Sequence, residues 1–161
     1  MICVCLETLM FQMKLLPQEE CLIEFGDVMV SFSVKEKTGL RYRLGEYHPY
    51  AKHISVFRER DQPRGGLWGT FIHEFCHAIQ CQLGDWQGSK ELYNKWSRFF
   101  SGTYAGKDPR EAEAEVFRWL WMARKGYLPT EAWEGNWVLL SEYEKYFRKK
   151  GWSKYLPPPA S

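Results

Sequence analysis

No stretch of this 161-residue chain reaches the run of about 18 apolar residues that a membrane-spanning helix needs. Neither sign of charge dominates. The 22 basic and 20 acidic residues are mixed along the chain and leave a net charge of +2, so no global field draws it to nucleic acid or anionic lipid. The five cysteines, Cys3, Cys5, Cys21, Cys76 and Cys81, form an odd set with no CxxC pair. That spacing excludes a disulfide framework and points to free thiols in a reducing compartment. The apolar start, MICVCLETLMFQMKLL, has no basic lead and is broken by Glu7 and Lys14, so it reads as a buried helix or strand and not as a signal segment. An intracellular, cytoplasmic protein with no nucleic-acid or membrane partner is the resulting expectation. Internal repeats are missing, and no histidine follows His77.

What is present is apolar and aromatic. Hydrophobic residues make up 45% of the chain and aromatics 17%, with eight Trp, which excludes disorder because such side chains bury large areas. One domain spanning residues 1–161 is the expectation for this length. After an N-terminal segment, 1–20, residues 22–57 show the short alternations of a small, mostly antiparallel sheet, with strands at 28–34, 40–44 and 53–57. Lys37-Thr38-Gly39 and residues 46–51, with Pro49, supply the turns. Beyond Pro63-Arg64-Gly65-Gly66 the spacing becomes helical. Helices are predicted over 67–83, with Gly84 as the stop, over 89–100, over 109–124 and over 134–149. Arg148-Lys149-Lys150 reads as a solvated helix end, and residues 155–161, with three prolines, as an extended tail. The fold class is therefore α+β, with the sheet first and the helices after it.

The first predicted helix contains FIHEFCHAIQ, residues 71–80. Residues i and i+4 of a helix share a face, so His73 and His77 can direct two ring nitrogens to one point while Glu74 flanks it. That is the logic of HExxH, in which two imidazoles hold zinc and the glutamate deprotonates a water. A random ordering of this composition yields HExxH about once in a hundred sequences, so the pattern alone does not decide between a metal site and two ordinary buried histidines. Phe71, Phe75 and Ile79 form the apolar face that would hold the ligands in place.

A catalytic zinc takes three protein ligands and leaves a fourth position open. With no later histidine, the third ligand must be a carboxylate, or His48 or His53, for which strand or turn roles fit better. The carboxylate source is Asp108-Pro109-Arg110-Glu111-Ala112-Glu113-Ala114-Glu115. Asp108 and Pro109 mark a helix start, and Glu111 and Glu115 then share a face with the small Ala114. One of these carboxylates can bind a metal and the other can hydrogen-bond the outer nitrogen of a ligating histidine. Capping is the plainer role for Glu111, through a box with Asp108, but it requires neither Glu113 nor Glu115. Three carboxylates this close need compensation by a metal or by Arg110 and Arg118. Ahead of this helix a loop carries Tyr104, whose phenol could donate to a developing oxyanion or simply pack.

These elements together, HEFCHA, Tyr104 seven residues before Glu111, and EAEAEVFR, resemble the gluzincin zinc metallopeptidases over residues 53–120. The nearest pattern is that of the catalytic domain of anthrax lethal factor and the Pro-Pro endopeptidases, with a more distant likeness to the ImmA/IrrE-like peptidases. The metzincins and SprT-like proteins, which complete the site with a later histidine, do not fit. The resemblance implies a zincin-like fold with an edge strand, and one Zn2+ per chain held by His73, His77 and Glu111. It implies Glu74 as general base, Tyr104 as oxyanion donor and Glu115 as the carboxylate behind a ligating histidine, with Glu113 as the reserve ligand if the register slips. Residues 53–57 resemble the edge strand along which an extended peptide or protein substrate pairs. The expected activity is that of a zinc-dependent endopeptidase; the alternative is a catalytically silent zincin-like binding or regulatory module.

Overall fold

The structure, a computed structural model, describes residues 2–3, 21–36, 44–58, 66–126 and 136–158. The expectations for residues 4–20, for the strand at 40–43, for the turn at 37–39, for the 63–65 bend, for the first residues of the last helix and for the end of the proline tail lie outside the described residues. Two compact units divide the chain, Met1–Gly84 and Asp85–Ser161. Among the described residues no helix is long and apolar enough to cross a membrane.

Among the described residues the first unit is a five-stranded sheet with one helix. The strands are β1 (Ile2–Cys3), β2 (Cys21–Phe25), β3 (Val28–Glu36), β4 (Gly45–His48) and β5 (His53–Arg58), in the order β1-β2-β3-β5-β4. Strand β3 shows the period of two directly: Val28, Val30, Phe32 and Val34 are buried on one face, and Met29, Ser31, Ser33 and Lys35 alternate with them. A two-residue turn joins β2 to β3, and its Gly26 has φ 59°, a conformation the hairpin requires and glycine adopts without strain.

The sheet is mixed, with two antiparallel pairings and two parallel ones, β1 with β2 being one of the latter. Strands β2 and β3 pair antiparallel, as do β4 and β5, but β5 inserts between β4 and β3 and pairs parallel to β3, from Ser31 opposite His53 to Glu36 opposite Arg58. Residues 53–57 are consequently not an edge strand, since both backbone edges of β5 are paired, and a peptide cannot add there. Among the described residues the edge strands are β1 and β4, and β4 falls where a turn was expected from residue 46 onward; the turn follows His48. The sequence of β5 accounts for its central place: Ile54, Ser55, Val56 and Phe57 are all buried, the continuous pattern of a strand covered on both faces.

Helix α1 (Gly66–Gln82) presents Phe71, Phe75, Ala78 and Ile79, all fully buried. Phe71 meets Phe32 of β3 edge-on at 5.1 Å and Phe75 meets Phe25 of β2 at 5.8 Å. Burying each phenylalanine contributes about 1.5–3 kcal/mol. The C-terminal turn is pinned by Gln82, whose amide both accepts from Met29 N (3.0 Å) and donates to Met29 O (2.8 Å). The helix stops as expected, with Gly84 at φ 81°.

The second unit is helical. The predicted helix over 89–100 is two short ones, α2 (Lys90–Lys95), capped by Ser89, and α3 (Ser97–Phe100), separated at Trp96. At the break Trp96 has φ −104° and ψ 16°, and its indole Nε1 donates to Glu142 at 2.9 Å. Helix α4 (Pro109–Arg124) begins as expected, with the Asp108 side chain accepting from Glu111 N at 2.8 Å. Helix α5 (Trp137–Lys149) buries Leu139, Leu140, Tyr143 and Phe147, and Phe117 of α4 meets Phe147 at 5.9 Å. Tyr155, Leu156 and Pro157 are buried, with Trp121 Nε1 donating to Tyr155 O at 3.0 Å, so the first part of the tail belongs to this core.

One end of α5 departs from expectation. Lys150 is not a solvated lysine: its side chain is 18% exposed, pairs with Asp85, lies 3.7 Å from Glu113 and stacks 4.1 Å over the Trp152 ring. A buried carboxylate recruits it, because an uncompensated charge inside a protein costs several kcal/mol, and Glu113 is fully buried.

Candidate metal centre

Helix α1 supplies His73, Glu74 and His77, all buried. The i, i+4 spacing brings the two imidazoles to 4.8 Å between ring centres with their planes at 83°. His77 Nδ1 faces the side-chain oxygen of Gln80 at 2.8 Å, and Gln80 is fully buried. Sequence reasoning missed Gln80; the available signal was an amide three residues along the same helical face.

Edge strand β4 passes close to Glu74. A Cβ at Gly45 would lie 3.2 Å from Glu74 Cγ and 2.7 Å from Thr70 Cγ2, so only glycine permits this approach. The same strand carries Tyr47, whose hydroxyl accepts from Gln82 and is pushed to a higher pKa by burial. His48 and His53 take the strand roles expected of them. They are register partners across β4 and β5, and the two ring nitrogens of His53 meet the hydroxyls of Ser31 and Ser33 at 2.7 and 2.9 Å.

Glu111 is in the first turn of α4, 4% exposed, with Arg110 at 3.5 Å. His73, His77 and Glu111 form a group of buried side chains whose ligand atoms lie within 4.8 Å of one another and which could hold a metal ion. Two imidazole nitrogens and one carboxylate oxygen fit a divalent transition metal that keeps an open coordination position. This is the set implied by the resemblance.

The other carboxylates of α4 have different partners. Glu113 accepts from Ser89 N–H, lies 3.7 Å from the Lys150 ammonium as an ion pair, and packs so closely on Gly88 that a Cβ there would sit 2.8 Å from its Oε2. Glu115 is held by Arg118 through two bonds, at 3.2 and 2.8 Å. Tyr104 opens a single turn of 3-10 helix, Tyr104–Gly106, and is 56% exposed, with Lys107 5.8 Å from its ring. Comparison with protein-family models, with curated proteins and with solved structures finds no match.

Proposed function

We propose that this protein is a zinc-dependent endopeptidase with one ion per chain held by His73, His77 and Glu111. The observation that carries this reading is the buried convergence of two imidazoles and a carboxylate within 4.8 Å, with the Glu74 carboxylate on the same helix as both histidines. When bound, zinc would supply Lewis acidity and an acidified water at neutral pH. The chain's own residues do the rest. Glu74 takes the proton of the attacking water on its carboxylate and returns it to the leaving amine. Tyr104 donates a hydrogen bond from its phenol to the carbonyl oxygen as charge develops there.

The substrate is a peptide in extended form. Its backbone pairs with β4, the terminal strand, which replaces residues 53–57 as the docking edge. Support comes from Gly45: the same strand that would pair with the peptide approaches Glu74 and Thr70, so a peptide along β4 runs beside the helix that carries the base. Cys76 and Cys81 are not joined in a disulfide, which fits an intracellular, reducing setting.

The test measures zinc per chain and cleavage of a diverse peptide library with the native protein and Glu74→Ala. Zinc near one per chain in both, with cleavage only by the native protein, is the expected result. Zinc near zero in the native protein refutes the metal centre. Zinc without Glu74-dependent cleavage replaces the peptidase with a metal-holding binding module.

A further inference from the structure

The hydrogen bond between His77 Nδ1 and Gln80 Oε1 has a consequence for ligand chemistry. A neutral imidazole carries one proton, and the nitrogen that lacks it is the one that can bind a metal. An amide oxygen can only accept. At 2.8 Å from Nδ1 it selects the tautomer with the proton on that nitrogen, which puts the lone pair on Nε2. The pair is sealed from water: Gln80 is fully buried and His77 is 6% exposed, so solvent does not compete for the bond. Both residues lie on one helical turn, so the bond also restrains rotation of the imidazole about its side-chain torsions.

We infer that Gln80 is the positioning residue of the metal centre, fixing His77 as an Nε2 donor before any ion arrives. This rests on the proposed metal site and adds a supporting residue to it. Glu115, the carboxylate that the resemblance implies behind a ligating histidine, is bonded to Arg118. A neutral amide suits a centre that already contains the carboxylates of Glu111 and Glu74, because it orients the ring without adding a third negative charge to a buried group.

The test compares native protein with Gln80→Met, which keeps the length and removes the acceptor, and Gln80→Glu, which restores one. Circular dichroism verifies folding of each. The first readout needs no metal: nitrogen NMR of metal-free protein at about pH 8, above the ordinary imidazole pKa, reports which ring nitrogen of His77 holds the proton. The second is zinc affinity by competition with a chromophoric chelator. The expected result is a proton on Nδ1 in native protein and in Gln80→Glu, and a shift toward Nε2 in Gln80→Met. Zinc affinity should fall by about ten- to a hundredfold in Gln80→Met and stay within about threefold of native in Gln80→Glu.

A proton on Nε2 in native protein, or a Gln80→Met variant with unchanged tautomer or unchanged zinc affinity, overturns the role of Gln80. If native protein still binds zinc, the metal centre survives that result. A native protein with the proton on Nδ1 but no zinc affinity overturns the metal centre itself, and with it any ligand for Gln80 to position. If Gln80→Met does not fold, Gln80→Glu decides: loss of the Nδ1 proton or of zinc affinity there counts against the inference, and retention of both supports it.

Discussion

In α1 the buried His77 ring meets the amide oxygen of Gln80 at 2.8 Å, whereas in α4 the buried Glu113 carboxylate faces the ammonium of Lys150 at 3.7 Å. The contrast extends along both units. Beside α1, His53 is held by two serine hydroxyls and Gln82 by the backbone of Met29. On α4, Glu111, Glu113 and Glu115 each have a cation: Arg110, Lys150 and Arg118. Neutral partners orient an imidazole without placing a charge beside it. Carboxylates at alternate positions of one helix repel, so they are tolerated only with local positive charge. The first region holds its buried polar side chains with neutral partners, and the second holds its carboxylates with cations.

The sharpest way to break this contrast is a pair of variants, one in each region. Glu74→Gln should lower kcat by about 10²–10⁴-fold while zinc content and the denaturation midpoint stay near native values. A Glu74→Gln variant that cleaves peptides at the native rate removes α1 from the chemistry. Lys150→Met should do the reverse, costing about 3 kcal/mol of stability in a denaturant titration because Glu113 and Asp85 lose their cation. The double variant Lys150→Met/Glu113→Gln should recover part of that loss. If it is no more stable than the single one, the buried pair is not what Lys150 serves.

Smaller effects sharpen the same comparison. Gly45→Ala should cost about 1–3 kcal/mol through the clash with Thr70 and Glu74, and it should depress activity beyond what the lost stability explains, as measured by kcat on fully folded protein. Tyr143→Phe should change stability at neutral pH by less than about 1 kcal/mol, since the hydroxyl is buried with no hydrogen-bond partner among the described residues. Burial, and secondarily the charge of Glu113, pushes the Tyr143 phenol well above its ordinary pKa. The unfolded chain therefore ionises first. The stability linked to this group is fully present below about pH 10 and is lost as pH rises above it toward the folded value. Denaturation midpoints at pH 7 and at about pH 10.5 should show Tyr143→Phe losing less at the higher pH than native protein does.

Much of this arrangement was legible from local patterns. The boundaries of α1 and α4, the Asp108 cap, the Gly84 stop and the convergence of His73 with His77 follow from periodicity and capping, which act over a few residues. The placement of β5 was not legible. Alternation identifies a strand but says nothing of its neighbours, and insertion of β5 beside β3 moved the edge from residues 53–57 to Gly45–His48. The same blindness hid Lys150, a lysine in a basic run whose partners Glu113 and Asp85 are remote in sequence. Glu113 itself was ambiguous because its buried face and its charge suggest two roles, and only its contacts with Ser89 and Lys150 distinguish them.

By itself the sequence determined what depends on spacing along one element: an α+β order, two imidazoles one helical turn apart with a glutamate beside them, and a capped helix rich in carboxylates. The tertiary structure alone decided what depends on through-space pairing. It grouped Glu111 with the two histidines, set Gln80 beside His77, and left β4 at an edge of the sheet among the described residues. The physical reason is range. Helical periodicity and caps are local, whereas a buried charge or a strand edge is satisfied by whichever group the fold brings to it.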